Sequence, residues 1–172
     1  MFINFWYPAG RSTDIIGTPV RRRMLAQDFV LWRDGTGQAH CLANTCIHRG
    51  ASLADGKVRD GEVQCPYHGW RFAGDGRCTA IPSLGKHARI PGRARVDAYP
   101  VKEKYGLVFV FLGDLPEEQR CPIMEIAEYR GDQPDPGWRA TIQHFERHSD
   151  YQRSIENGPG GGPNAVVHPP RR

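Results

Sequence analysis

Two short loops hold the residues able to do chemistry: Cys46-Ile47-His48-Arg49-Gly50 and Cys65-Pro66-Tyr67-His68-Gly69-Trp70. Each offers one thiolate and one imidazole, and sixteen residues, Arg49 to Gln64, lie between His48 and Cys65. Thiolates and imidazoles suit iron and zinc. A structural zinc ion can take two of each, but zinc fingers present a cysteine pair and then a histidine pair, whereas the order here is Cys, His, Cys, His. The other arrangement is a two-iron, two-sulfur cluster in which two histidines replace two of the usual four cysteines. Neutral imidazole leaves less negative charge on such a cluster than thiolate does, so reduction is easier. A centre of this kind moves electrons one at a time. Gly50 and Gly69 let the backbone come close and aim N–H groups at sulfur, and Pro66 stiffens the second loop.

Strands must hold these loops. Residues 19–25 and 28–33 read as a first pair, residues 34–37 as a turn, and 38–43 as a strand pairing back. Residues 61–64 lead into the second loop and 70–73 leave it. Gly74-Asp75-Gly76-Arg77 is a hairpin turn with 77–81 returning, and 96–101 with 107–112 form a last hairpin around Lys104-Tyr105-Gly106. This spacing predicts a mainly β fold, an antiparallel sandwich or barrel. Residues 115–122 and 131–137 are rich in Pro and charge and read as linker; 138–147 suits a strand, and Ser149 is an N-cap for a helix over 149–156.

The remaining candidates have blander readings. Cys41, Cys78 and Cys121 have no partner at metal spacing and read as small buried hydrophobes. His40, His87, His144 and His148 are isolated, and no third ligand accompanies the pair His144 and His148. Tyr67 and Trp70 flank the second loop, where they shield the metal, shape a docking surface or simply pack.

The chain has 172 residues, about one domain or one domain with part of another, and a formal charge of +4. The one basic run, Arg21-Arg22-Arg23, lies within an expected strand and reads as a solvated face, at most a help in docking an acidic protein. Nucleic-acid binding is not expected. No apolar run is long enough for a membrane helix, and the opening lacks the basic region and cleavage site of a secretory signal. Five cysteines, an odd number, point away from a disulfide framework and toward a reducing cytoplasm.

The two loops resemble the Rieske signature, Cys-x-His with Cys-x-x-His. The resemblance implies that Cys46 and Cys65 bind one iron of a [2Fe-2S] cluster and His48 and His68 the other, at the tip of an antiparallel β domain. Respiratory Rieske proteins carry an extra cysteine in each loop, and Ala51 and Tyr67 stand at those places. Cys65-Pro66-Tyr67-His68-Gly69-Trp70, the opening Asn4-Phe5-Trp6-Tyr7-Pro8 (itself readable as a packed aromatic cluster) and the stretch 93–113 instead resemble ring-hydroxylating oxygenase α subunits. That family implies a Rieske domain over 1–115, a linker over 116–137 and the truncated start of an α+β catalytic domain over 138–172.

In the family the catalytic domain holds a mononuclear Fe(II), with the local pattern Glu-Asn-Gly followed by Asp-x-x-His-x-x-x-x-His. Glu156-Asn157-Gly158 is in frame with it, but Gly160 and Pro163 replace the bridging aspartate and first histidine, leaving only His168 as a remnant. The Gly- and Pro-rich end fits either a genuine truncation or an unreliable sequence read. The expectation is an N-terminal fragment of an oxidoreductase: the full-length parent takes electrons from a reductase or ferredoxin, oxygenates a small aromatic or related substrate and forms a homotrimer. The fragment alone is expected to keep its cluster without oxygenating. The alternative is a stand-alone Rieske ferredoxin.

Overall fold

Alternation of side chains across an extended backbone explains the architecture. The computed structural model describes residues 3–85, 88–141 and 148. The chain divides into two units, Met1–Trp138 and Arg139–Arg172, and every strand among the described residues lies in the first. In order these are β1 (Phe5–Arg11), β2 (Val20–Met24), β3 (Gln27–Arg33), β4 (Ala39–Ala43), β5 (Lys57–Arg59), β6 (Glu62–Gln64), β7 (Arg71–Phe72), β8 (Cys78–Ala80), β9 (Ala98–Tyr99), β10 (Val101–Lys104), β11 (Leu107–Leu112), β12 (Tyr129–Arg130) and β13 (Gln133–Pro134). They form antiparallel sheets in the orders β1-β11-β10, β2-β3-β4-β9 and β5-β6-β7-β8, with β12 and β13 as a separate hairpin. The fold is mainly β and antiparallel, as expected, and the sheets do not close into a barrel.

Strand β3 sits between two cores. Phe29 and Leu31 join Cys41, Val108 and Val110 in one cluster, while Val30 and Trp32 join Leu42, Val63 and Phe72 in the other. Successive residues face opposite sides of a strand, so a run buried at Phe29, Val30, Leu31 and Trp32 marks a strand covered on both faces. The second core also contains Cys46 and Cys65. Both metal loops therefore rise from a packed base.

Three two-residue turns have left-handed backbone at both positions: Leu25-Ala26, Asp60-Gly61 and Tyr105-Gly106. Such turns match the twist of antiparallel strands. Asp60-Gly61 joins β5 to β6, a hairpin whose first strand the sequence reading missed although Asp-Gly between Val58 and Val63 signals it. The reading also had no strand at β1, which contains Pro8 and Gly10; β1 lies at a sheet edge with a register shift between those residues, where proline is tolerated. Its Trp6 packs edge-on against Phe111, so the opening aromatics pack as well. The stretch 96–101 is not one strand but the separate β9 and β10, on different sheets. Residues 138–141 have no regular structure; the strand expected onward through 147 and the helix over 149–156 lie outside the described residues.

Arg33 ties the β2-β3-β4-β9 sheet to the β1-β11-β10 sheet. Its guanidinium forms two hydrogen bonds with Glu103 of β10, at 2.6 and 2.7 Å, and also donates to the carbonyls of Ile15, Gly37 and Ser12. The Arg33 hydrogen bond holds the Glu103 carboxyl below its ordinary value. A depressed carboxylate contributes stability that is complete above the unfolded value, about 4.5 for Glu, and is lost as pH falls through the folded one. The urea midpoint of the protein should therefore fall as pH drops below about 4.5, and Glu103→Gln should show a shallower fall over the same range. Equal slopes for the two proteins would show that this pair carries none of the acid sensitivity.

Candidate metal centre

The two loops share one backbone design. In the first, the Cys46 N–H donates to the Ala51 carbonyl at 2.9 Å and the Gly50 N–H to the Cys46 carbonyl at 2.9 Å. In the second, the Cys65 N–H donates to the Trp70 carbonyl at 2.8 Å and the Gly69 N–H to the Cys65 carbonyl at 3.2 Å. Gly50 and Gly69 both have φ of 72°, a left-handed conformation that glycine adopts at no steric cost. Each loop is thus a cysteine, a five-residue turn and a glycine four positions on. Within this shared turn His48 stands two positions after its cysteine and His68 three.

Neighbouring groups fix the loops from beneath. Asn44, 4% exposed and the one buried polar residue in the described part, accepts the Ala54 N–H at 2.8 Å and hydrogen-bonds Ser52. It thereby closes the return of the first loop. Gln64 donates from Nε2 to the Gly69 carbonyl at 3.3 Å, beneath the second. Neither residue stood out in the sequence, because an Asn or Gln at a strand end is ordinary without knowledge of the loop it braces.

The donors meet in like pairs. Cys46 and Cys65 are buried free thiols within hydrogen-bonding reach of each other. The rings of His48 and His68 lie 4.7 Å apart on the exposed side. Burial pushes the Cys46 thiol up to about 11 against the opposing pull of the His48 N–H, and the Cys65 sulfur adds to the rise. Thiols so placed stay protonated in water and give up their protons to solvent when a metal binds. Lost hydration, then the charges of His68 and Arg49, hold the His48 imidazole below its ordinary value, in the neutral form that ligates.

Among the described residues no three His, Cys, Asp or Glu side chains surround a single point as one metal ion requires. A tetrahedral zinc needs all four donors at one point. A two-iron cluster needs two donors on one side and two on the other, and the donor set fits it.

Aromatic rings frame the exposed side. Trp70 stacks on His48 at 4.6 Å with the planes 7° apart, and Tyr67 lies 3.8 Å from His68. Elsewhere, Cys41 and Cys78 are buried as expected. Cys121 is not: it is exposed, with its carbonyl accepting the Trp6 indole N–H at 2.8 Å and its thiol donating to the Asn4 carbonyl at 3.7 Å. His40 is paired with Asp34 at 2.8 Å and packs on Trp32. The basic run is only partly a solvated face, since Arg21 and Arg23 pair with Asp28 while Arg22 turns inward to the Ala9 carbonyl at 2.7 Å. His148 is exposed; His87, His144 and His168 lie outside the described residues.

A paired thiol and imidazole centre at the tip of an antiparallel β domain is the arrangement of one class of electron-transfer domain. Residues 5–100 match the profile of the Rieske [2Fe-2S] domain, and the chain belongs to that family. Its cofactor is therefore a [2Fe-2S] cluster. The chain is 37% identical over 129 residues to a 3-chlorobenzoate-3,4-dioxygenase oxygenase subunit of Comamonas testosteroni, covering 72% of this chain and 30% of that one. It is 39% identical over 136 residues to a 4beta-methylsterol monooxygenase of Methylococcus capsulatus, covering 77% and 37%. Among solved structures, apo dicamba monooxygenase superposes with a TM-score of 0.61 at 34% identity, over 64% of this chain and 34% of that one. The chain thus spans about a third of the length of these relatives. They are oxygenases and not ferredoxins. No helix among the described residues is long and apolar enough to cross a membrane.

Proposed function

We propose that this chain is the electron-entry domain of a Rieske oxygenase α subunit, with Cys46 and Cys65 holding one iron of the cluster and His48 and His68 the other. The observation that carries the ligand assignment is the meeting of donors in like pairs, thiol with thiol at the buried side and imidazole with imidazole at the exposed side. The cluster supplies one-electron transfer at a potential raised by its histidine ligands. Cys46 and Cys65 keep the inner side dry, the His48 and Arg49 N–H groups point toward the Cys46 sulfur, and the imidazoles present the outer side to a partner.

The electron donor is a reductase or ferredoxin, and the acceptor is a mononuclear iron in the whole oxygenase. The likeness to a chlorobenzoate dioxygenase subunit and to dicamba monooxygenase supports a small aromatic or related organic substrate. The domain division at 1–115, 116–137 and 138–172 and a homotrimeric parent belong to the same reading. A potentiometric titration of the purified protein tests it. A one-electron transition between roughly −150 and +300 mV is expected. A transition near roughly −400 mV, as in ferredoxins with four cysteine ligands, would contradict the histidine ligation.

A further inference from the structure

We propose that Trp70 is the positioning residue of the His48 ligand, a fixed indole platform that sets the plane of that imidazole from the opposite loop. This inference rests on the assignment of His48 as an iron ligand and adds a residue to the electron-transfer centre. The two rings lie 4.6 Å apart with their planes 7° from parallel. Trp70 belongs to the second loop and His48 to the first, so the contact joins the two halves of the donor set. Stacking engages the face of the imidazole. It leaves both ring nitrogens clear, one for iron and one for a hydrogen bond.

The platform is fixed without help from His48. The Trp70 carbonyl accepts the Cys65 N–H at 2.8 Å and so closes the second turn. The next two residues form β7, whose Phe72 is fully buried. The indole itself packs against the core that holds Cys46 and Cys65. His48 is held differently. Hydrogen bonds of the first turn fix its main chain, from the Cys46 N–H to Ala51 and from the Gly50 N–H to Cys46. They do not fix its ring, which turns about the Cβ–Cγ bond, a torsion with broad minima. A ligating imidazole must aim its lone pair at the metal, and the groups that hold the ring tune the centre. A flat neighbour at stacking distance takes up that freedom. Tyr67 cannot do the same for His68. It lies 3.8 Å from that ring, but the two are adjacent in one loop and move together. The two histidines are therefore held unequally, His48 by a ring anchored elsewhere in the core and His68 by a ring of its own loop.

The test compares Trp70→Leu and Trp70→Phe with the wild type, each cluster-loaded and reduced with dithionite. Electron spin-echo spectroscopy resolves a nitrogen coupling from each ligating imidazole. In Trp70→Leu one of the two couplings should broaden or shift while the other stays, and iron should pass to the ferrous chelator bipyridine about tenfold faster. Trp70→Phe restores a flat ring and should return both readouts toward the wild type. Trp70→Met fills the space with a flexible chain that has no ring face. It should behave as Trp70→Leu does, and it takes the place of that variant if Trp70→Leu does not load. Three results would overturn the proposal and make Trp70 packing alone: couplings and iron release unchanged without the ring, both couplings disturbed equally, or Trp70→Phe as disturbed as Trp70→Leu. Each would leave the cluster assignment standing. Wild-type protein without two imidazole nitrogen couplings would instead remove the ligand assignment, and the positioning role with it.

Discussion

Cys65→Ser should abolish cluster binding, with iron and sulfide falling below about a tenth of the wild-type content. Cys65 opens the second loop, is 3% exposed and faces Cys46 from a fixed backbone. A serine hydroxyl has the size to fit there but not the softness or acidity to replace a thiolate toward iron. The backbone turn should survive, because its hydrogen bonds run from main chain to main chain. The β-sheet circular dichroism should therefore remain while the colour is lost. Cys78→Ser is the matched control. Cys78 lies in the same core, is 8% exposed, and spends its thiol on the Ala80 carbonyl. It should retain full iron and sulfide. Loss of iron in Cys78→Ser, or normal loading in Cys65→Ser, would mean that the ligands have been assigned wrongly.

The largest stability effect is expected at Gly76. It closes the turn between β7 and β8 with φ of 84°, and its carbonyl accepts the Val96 N–H at 2.8 Å. A Cβ there would overlap the Val96 carbonyl oxygen, which is backbone and cannot swing aside. Gly76→Ala therefore combines a left-handed alanine, about 1–3 kcal/mol, with an overpacking cost of about 1–3 kcal/mol. Val96 is 2% exposed in the core that also holds Cys46 and Cys65, so its displacement should lower iron content as well. Gly37→Ala separates the two contributions. Gly37 has φ of 87°, but a Cβ there meets nothing within 4 Å. It should cost only the conformational part and leave iron content unchanged. Urea denaturation of both variants measures the difference; equal losses would show that Val96 yields to the added methyl.

Much of the fold was legible because strands and turns leave local marks. The β2 and β3 pair, the return by β4, and the hairpins at Gly74-Asp75-Gly76 and Tyr105-Gly106 follow from alternation and turn residues. What stayed hidden depends on distant partners. Strand β1 pairs with β11 across about a hundred residues and contains Pro8 and Gly10, so no local rule favours it. Cys121 meets the Trp6 indole and the Asn4 carbonyl at the other end of the domain. The four candidate ligands stood out by type and spacing, but the common backbone design of their loops did not. The shared turn of the loops appears only when Gly50 and Gly69 are seen in the same left-handed conformation. The stack of Trp70 on His48 was equally hidden, since it joins one loop to the other.

One measurement decides the central claim: electron paramagnetic resonance of the dithionite-reduced protein, with iron, zinc and acid-labile sulfide assayed on the same sample. The predicted result is a Rieske-type signal with about two irons and two sulfides per chain. A silent spectrum from protein that contains zinc and no sulfide would make the four residues a structural metal site, and the electron-transfer function would fall with the cluster.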